Sequence, residues 1–284
     1  MTDRLVLLGT KGGPAIRPGG PMPTSSLLKV GERRIVVDCG LGVARGLCEA
    51  GVALSDISDV FVTHLHSDHV LELGPLLHTA WTAGLNRPVR VFGPKGLRDT
   101  WNGFLLSMRY DIDLRIADEG RPDLRSLVSI HSCDEGTVLD EDGLRVSALH
   151  VPHPPVESAF ALRFDWNGRS VLFSGDTAHH PPLAQFARGA TVLVHEAMLP
   201  EGIDALVSRT GNGTRLREHL DRSHTSAKDA GRIAAEAGVG RLVLHHLIPA
   251  DDPDFTRADW ERAVRQTWEG PLTVPVDGTV IELE

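Results

Sequence analysis

The chain contains one short segment in which three histidines and one aspartate, His64, His66, Asp68 and His69, fall within six residues. The apolar run 59–62 directly before it is typical of a buried strand. In an extended backbone His64 and His66 share one side, and Asp68 and His69 can face a second position once the chain turns. Imidazole nitrogen and carboxylate oxygen are good ligands for zinc and similar divalent ions. The segment therefore predicts a metal site at the end of a strand.

Further candidate ligands lie where later apolar runs end. Asp176 follows such a run and a Ser-Gly pair, in a turn that would expose its carboxylate. An isolated aspartate after a strand is more often only a turn former. His150 competes with His153 for one position, and His245 with His246 for another. The residue types alone leave both choices open.

The elements that must position these residues are mostly strands. Short runs rich in Val, Ile and Leu, separated by Gly, Pro and Asp, predict strands at 5–8, 26–30, 35–37, 60–63, 89–92, 144–151, 159–164, 171–174, 192–194 and 242–244. Asn167-Gly168 predicts a tight hairpin turn. Helices, each closed by a glycine, are predicted at 43–50, 226–237 and 257–268. This order predicts an α/β fold whose sheets are covered by helices.

Three stretches are predicted to be loops. The Gly- and Pro-rich stretch 12–23 is expected to be a surface loop, and 111–126 and 201–222 lack apolar periodicity and could act as lids. The last stretch carries a cluster of arginines, which would suit an anionic phosphate or sulfate ester or else form only a solvated face. These arginines are Arg209, Arg215, Arg217 and Arg222.

Composition bounds the class of protein. With 284 residues, 41% hydrophobic and 24% charged, the chain can bury a proper core, and we expect a single domain over residues 1–284. No apolar run approaches the roughly 20 residues of a membrane helix. An odd number of cysteines, three, suggests reduced thiols and a cytoplasmic protein. The net charge of -9 argues against broad binding to a nucleic-acid backbone.

The pattern His64-x-His66-x-Asp68-His69 resembles the signature of the metallo-β-lactamase-fold hydrolases. Other segments are similar to further motifs of that family in the same order, and the two centred on Glu196 and His224 are typical of its ribonuclease Z branch. These segments are Leu8-Gly9-Thr10-Lys11-Gly12-Gly13, Val37-Asp38-Cys39-Gly40, Phe173-Ser174-Gly175-Asp176-Thr177, Val194-His195-Glu196-Ala197, Ser223-His224-Thr225-Ser226 and Leu244-His245-His246-Leu247. The resemblance implies a four-layer αββα sandwich with a dinuclear metal site.

The resemblance also implies a ligand set. The family pattern places a ligand seven residues before an aromatic, which selects His153 over His150, and it aligns His246 with the last ligand. Two divalent ions are expected, zinc first and manganese or iron as alternatives. One would be held by His64, His66 and His153, the other by Asp68, His69 and His246, with Asp176 bridging both.

The chemistry that this implies is hydrolysis. A hydroxide bridging the two ions would attack an ester, and Asp68 is counted among the catalytic residues as well as the ligands. Glu196 would orient His224, which would give a proton to the leaving oxygen. His195, which points the other way from Glu196 along the strand, is expected to be structural.

The substrate is harder to predict. Ribonuclease Z enzymes carry a long tRNA-gripping arm between the ligands equivalent to His153 and Asp176, and here these residues are only 23 positions apart. Together with the acidic charge, this predicts a small ester substrate, a phosphodiester or sulfate ester, with nucleic acid and membrane not expected as partners. A homodimer is the assembly that related hydrolases suggest.

Other functions stay open as alternatives. They are a ribonuclease Z-like RNA endonuclease, a lactonase or other carboxylic ester hydrolase, and a metal-binding protein without turnover. Lactonases of this fold often place a tyrosine shortly after the bridging aspartate, whereas this chain has Thr177 and Ala178 there and Tyr110 as its one tyrosine.

Overall fold

A computed structural model describes residues 2–211 and 213–283, which form two seven-stranded mixed sheets. The first sheet has the order β14-β1-β2-β3-β4-β5-β6, with strands Arg4–Gly9 (β1), Ser25–Val30 (β2), Arg33–Cys39 (β3), Asp59–Phe61 (β4), Val89–Gly93 (β5), Val128–Ser132 (β6) and Thr279–Glu282 (β14). The second has the order β13-β12-β11-β10-β9-β8-β7, with strands Gly136–Glu141 (β7), Leu144–His150 (β8), Phe160–Trp166 (β9), Arg169–Phe173 (β10), Val192–Met198 (β11), Leu242–Ile248 (β12) and Leu272–Thr273 (β13).

Helices cover the outer face of each sheet. Those on the first sheet are Val43–Glu49 (α1), Ser67–Val70 (α2), Leu73–Thr82 (α3), Leu97–Ser107 (α4), Arg109–Glu119 (α5) and Leu124–Leu127 (α6). Those on the second are Pro182–Phe186 (α7), Ala227–Ala237 (α10) and Arg257–Val264 (α11). Two more, Ile203–Thr210 (α8) and Gly213–Ser223 (α9), pack on the ends of β11 and β12 through a small apolar cluster.

The alternation of side chains along the strands produces the layers. In β1, Leu5 and Leu7 belong to the core between the two sheets, whereas Val6 and Leu8 belong to the core beneath the helices. Successive residues of a strand point to opposite faces, so a run that is apolar throughout must be covered on both sides. The prediction of an αββα sandwich is confirmed.

The strand directions bring several chain segments to one edge. Strands β3, β4, β5 and β6 run parallel in the first sheet, as do β10, β11 and β12 in the second. The carboxyl ends of parallel strands lie at the same edge of a sheet, and ligands commonly bind there. The predicted metal-site segments follow β4, β8 and β10 or end β12, so the topology gathers them.

The predicted hairpin is confirmed. Asn167 and Gly168 both have positive φ, 46° and 76°, and the flanking residues Trp166 and Arg169 pair across β9 and β10. Positive φ at both central positions is what a type I′ turn requires. The three predicted helices are also present as α1, α10 and α11, the last ending four residues early.

The loop predictions for 111–126 and 201–222 are wrong. These stretches contain all of α8 and most of α5, α6 and α9. Asn212, with Met1 and Glu284, lies outside the described residues. Their helices carry charge on the exposed face, and Arg115 bridges Asp111 and Glu119 one turn away on either side. Such i,i+4 pairs stabilise a helix that buries few side chains. The lack of apolar periodicity in these stretches therefore did not mean that they lack helices.

Among residues 2–211 and 213–283, no helix combines the length and apolar character that crossing a bilayer requires. That the whole chain forms one domain stays a prediction.

The start of α10 generates a test of stability. Ser226 caps this helix, since its side chain accepts a hydrogen bond from the Asp229 N–H at 3.1 Å. Ser226→Ala is expected to lower the free energy of unfolding by about 1 kcal/mol in a denaturant titration, because a helix N–H loses its partner. Ser208→Ala, an exposed serine inside α8, is the matched control and should change little. Equal effects of the two variants would contradict the cap.

Candidate metal centre

The His-rich segment makes a sharp turn directly after β4. His64 and His66 continue in extended backbone, and His66 is the residue before α2, with φ −65° and ψ 149°. Asp68 and His69 then lie in the first turn of that short helix and point to a second position. His64 and His69 are almost fully buried, at 0% and 1% exposure. The turn places four donors from six consecutive residues at two neighbouring positions.

The first group of donors joins this segment to the chain after β8 and β10. His64, His66, His153 and Asp176 each offer one ligand atom, all within 4.8 Å of one another. The His66 Nδ1 atom lies 3.1 Å from the Nε2 atoms of both His64 and His153. The Nδ1 atom of His153 is held at 2.9 Å from the Ser223 carbonyl oxygen, which fixes the ring.

The second group is built on the other side of Asp176. Asp68, His69 and His246 form it, with the His246 Nε2 atom 3.2 Å from Asp68 Oδ2. Asp176 Oδ2 lies 3.0 Å from His246 Nε2 and 3.3 Å from His69 Nε2, and 3.8 Å from the nearest nitrogen of His64. One carboxylate oxygen therefore faces both groups.

The structure separates the members of each histidine pair. His150 is exposed and binds the Glu157 carbonyl oxygen, whereas His153 is buried in the first group. His245 uses its Nε2 atom on the Gly9 carbonyl oxygen. His246 is the extra residue of a bulge in β12, with φ 43°, and this turns its side chain into the second group.

The donor sets fit divalent cations. In the part of the chain that the structure describes, His69 Nε2, Asp176 Oδ1 and His246 Nδ1 are buried and have no hydrogen-bond partner. Buried polar atoms without partners are costly, and a cation in the second group would satisfy His69 Nε2, which lies 3.3 Å from Asp176 Oδ2. Nitrogen and carboxylate oxygen in these numbers are the ligand types of zinc and of manganese or iron.

The charges of the buried carboxylates are set by the imidazoles around them. Burial raises the pKa of Asp176, but His246 and His69 outweigh it and hold the pKa well below its usual range. For His69, burial lowers the pKa, yet Asp176, Asp38 and Asp68 raise it well above its usual value. Removing the surrounding nitrogens would thus leave an uncompensated buried charge.

Asp38 contacts the ring nitrogen of His69 that faces away from the donor groups, and this role was not predicted from the sequence. Its Oδ2 atom lies 2.9 Å from His69 Nδ1, and its Oδ1 atom accepts the Thr63 N–H at 2.8 Å. A carboxylate on the second ring nitrogen fixes the tautomer and orientation of a metal-binding imidazole. The signal was a buried aspartate at the end of the apolar strand β3.

Glu196 and His224 form a buried pair beside the donor groups. His224 Nδ1 lies 2.9 Å from Glu196 Oε2, and Glu196 Oε1 accepts the Thr177 N–H at 2.7 Å. Burial raises the pKa of Glu196 well above its usual value, and the nearby Asp176 adds to this. A carboxyl group with a raised pKa next to an imidazole can hold a proton on the pair. His195 instead binds the Glu196 carbonyl oxygen and faces away.

A cavity of about 390 Å³ opens over the donor groups. Its floor contains His66, Asp68, Asp176, His224 and His246. Its walls are apolar on the side of α8, α9 and β12 and cationic on the side of the 12–23 loop. The wall residues include Leu206, Leu216, Leu220, Ile248, Lys11 and Arg17.

The predicted arginine cluster does not line this cavity. Arg209 is ion-paired with Asp251 and Asp252, and Arg217 with Asp221 and Asp204, so their charges are neutralised within the fold. The cations that line the cavity are Lys11 and Arg17, which sequence reasoning did not single out. Arg17 is paired with Asp251 at 2.5 Å, so Lys11 is the cavity cation for which the described residues form no ion pair. Lys11 lies in the segment Leu8-Gly9-Thr10-Lys11-Gly12-Gly13, but the residue types of that segment do not indicate that Lys11 lines a cavity.

Comparison with known proteins places this arrangement in a family. Residues 4–209 match the family model described as Anti-Pycsar protein Apyc1. The fold resembles the metallo-beta-lactamase fold protein YhfI from Bacillus subtilis (TM-score 0.73, 19% identity, 99% of this chain and 100% of that one). It also resembles the short form of human tRNase Z, ELAC1 (TM-score 0.70, 21% identity, 99% of each chain). The solved structures show that the chain has the metallo-β-lactamase fold.

Two curated relatives narrow the branch. A ribonuclease Z from Mycobacterium marinum is 35% identical over 249 residues, which cover 87% of this chain and 86% of the relative. A ribonuclease Z from Mycobacterium bovis is 32% identical over 276 residues, covering 96% and 95%. The chain belongs to the ribonuclease Z branch of the metallo-β-lactamase-fold metallohydrolases and to the family of the Apyc1 model.

The contact between Asp38 and His69 generates a test of the centre. Asp38→Asn should weaken zinc affinity by roughly 10- to 100-fold, because the amide cannot fix or polarise the His69 ring as the carboxylate does. Competition with a chelating dye measures this affinity directly. Asp140→Asn, on the exposed part of β7, is the control. Unchanged zinc affinity in Asp38→Asn would rule out the supporting role.

Proposed function

We propose that the protein is a two-metal phosphodiesterase with ribonuclease Z-like chemistry. The observation that carries this is the Glu196–His224 pair, buried beside two donor groups that share Asp176. In this proposal His64, His66 and His153 hold one ion, Asp68, His69 and His246 the other, and Asp176 contacts both. The ions are proposed to be zinc, with manganese or iron as alternatives.

Two bound cations would supply a nucleophile from water near neutral pH and stabilise charge that develops on oxygen. The chain's own residues then have to orient the ester and supply a proton. Lys11 at the cavity wall attracts an anionic ester, whereas the charge of the neighbouring Arg17 is already paired with Asp251. The apolar wall from α8 and α9 excludes water around one of its substituents.

His224 is the proposed proton donor. Its Nδ1 atom is engaged with Glu196, so Nε2 is the nitrogen left for the substrate. As the P–O bond breaks, the proton passes from Nε2 to the leaving oxygen, and Glu196 stabilises the ring in the required orientation. A phosphodiester with an alkoxide leaving group needs this proton, whereas an ester with a strongly acidic alcohol does not.

RNA is the first substrate to test. The curated relatives are named ribonuclease Z and match 86–95% of their own length, so the expectation that nucleic acid is not a partner loses its support. The same name favours a phosphodiester over a sulfate ester. The lactonase alternative gains nothing, since Tyr110 lies on α5 with 82% exposure and does not line the cavity.

A small phosphodiester is the second candidate, favoured by the shape of the site. Between His153 and Asp176 the chain forms only the short hairpin β9–β10, with no arm that could grip a folded RNA. The cavity of about 390 Å³ is at the lower end of the size range of small-ligand pockets. RNA and a small phosphodiester would contact the same residues at the floor of the cavity. They differ in the substituents that the cavity walls would have to accommodate.

The metal assignment predicts a stoichiometry. The protein loaded with zinc should hold two ions per chain by elemental analysis, and Asp176→Ala should lose at least one of them, since it removes the carboxylate shared by both groups. Asp165→Ala, a carboxylate on β9 away from the cavity, should keep both. Less than one zinc, manganese or iron ion per chain in the unmodified protein would overturn the proposal.

The substrate class is decided by a direct comparison. The zinc-loaded protein is given a precursor tRNA with a 3′ extension, a panel of cyclic and linear mononucleotide phosphodiesters, and an aryl sulfate, and kcat/KM is measured for each. Release of the 3′ extension supports the RNA reading, and turnover of the mononucleotides alone supports the second. Turnover of the aryl sulfate alone would exclude a phosphodiesterase.

The role of His224 predicts a dependence on the leaving group. His224→Ala should lower kcat about 10²- to 10⁴-fold for a diester with an alkoxide leaving group. It should have a much smaller effect on bis(p-nitrophenyl) phosphate, whose leaving group needs no proton. His179→Ala, an exposed histidine outside the cavity, serves as control. Equal losses on both substrates would argue against proton donation.

A further inference from the structure

Helix α9 presents one histidine to the cavity that the proposed metal and proton-donor sets do not use. His219 lines the cavity together with Leu216 and Leu220, because residues three and four apart share a face of a helix. It is half-buried and belongs to none of the donor groups that could hold an ion. Its ring centre lies 5.8 Å from that of His224 and 6.3 Å from that of His66. His219 thus faces the space between the proton donor and the first donor group.

The contacts around His219 determine which of its ring nitrogens carries the proton. Ser223 Oγ lies 2.5 Å from the Pro154 carbonyl oxygen, and a carbonyl only accepts, so the hydroxyl proton of Ser223 is used there. The His219 Nδ1 atom lies 3.4 Å from the same Oγ. With its own proton committed, Ser223 can only accept, and the tautomer with Nδ1–H is therefore favoured.

This tautomer leaves Nε2 of His219 as a hydrogen-bond acceptor. An imidazole has an ordinary pKa of about 6.5, so the neutral ring is the main form at pH 7, and the Nδ1–H tautomer has a free lone pair on Nε2. No described residue donates to Nε2 of His219. Phosphate oxygens, which only accept, cannot bind an acceptor. The group on a substrate that satisfies it is a donor, and a hydroxyl is the donor that accompanies a phosphodiester in ribonucleotides.

We propose that His219 accepts a hydrogen bond from a ribose hydroxyl next to the scissile phosphate, which makes the site selective for ribonucleotide over deoxyribonucleotide esters. His219 is in this view a specificity-determining residue and takes no part in proton transfer. The proposal rests on the proposed phosphodiesterase function and names the substrate class of the same site. A site built to bind a hydroxyl rejects the analogue without it, because its acceptor is then left unpaired.

The test compares ribo and deoxyribo forms of one phosphodiester with the zinc-loaded protein. The unmodified protein should have a kcat/KM about tenfold higher for the ribo form, the size that one net hydrogen bond supports. His219→Leu should remove this preference by lowering kcat/KM for the ribo form alone. His219→Gln, whose amide oxygen can accept the same bond, should keep part of it, and His179→Leu should keep all of it.

Binding gives a readout that does not depend on turnover. Calorimetric titration with 3′-AMP and with 2′-deoxy-3′-AMP, in which the 2′-hydroxyl is the group next to the phosphate, should show the same preference and the same loss in His219→Leu. If diesters are hydrolysed without ribo preference, or if His219→Leu lowers both forms equally, the proposal for His219 fails and the phosphodiesterase stands. If 3′-AMP binding shows the His219-dependent preference without any diester turnover, the phosphodiesterase fails and the role of His219 stands. Absence of both preference and turnover overturns both.

Discussion

The structure depends on one buried carboxylate that must face two groups of imidazoles at once. Asp176 is 2% exposed, and its Oδ2 atom lies 3.0–3.8 Å from nitrogens of His246, His69, His64 and His153. An ionised carboxylate in the interior is very costly unless it is paired from several sides. The segments after β4, β8 and β10 and the end of β12 must therefore converge within a few ångströms. Two sheets packed face to face, with parallel strands ending at one edge, provide this convergence.

Bringing these four chain segments so close together requires backbone conformations with positive φ at two positions. Gly175 has φ 59°, and a Cβ there would lie 2.6 Å from the Phe160 carbonyl oxygen, so only glycine allows the turn that presents Asp176. His246 adopts φ 43° in its bulge. Such conformations cost free energy, and they persist where the surrounding packing fixes them. Here they stand on either side of the shared carboxylate, and the well-packed cores of both sheets hold them in place.

The sequence predicted the parts of the molecule that are local. The donors in His64–His69 are adjacent along the chain, so their spacing alone indicated two positions, and the alternation of apolar residues indicated strands covered on both faces. Asp38, Lys11 and His219 were missed as contributors because each reaches the site only through the packing of distant segments. The choice of His153 and His246 over their neighbours needed the family resemblance, since a bulge in β12 cannot be seen in a doublet of identical residues.

The helices α5, α8 and α9 were not predicted from the sequence, for a different physical reason. Ion pairs one turn apart stabilise α5 and α9, and a few apolar side chains such as Leu206 and Leu220 hold α8 and α9, which leaves little periodic signal. The consequence matters for substrate recognition, because α8 and α9 form the apolar wall of the cavity. The floor is built from strand ends and limits the reaction to hydrolysis at an activated centre. The apolar wall is built from α8 and α9, and in the proposed function it decides which ester enters. The end of α9 also supports the floor, because the Ser223 carbonyl oxygen holds the His153 ring. Similarity to enzymes named ribonuclease Z therefore constrains the type of reaction more strongly than it constrains the substrate.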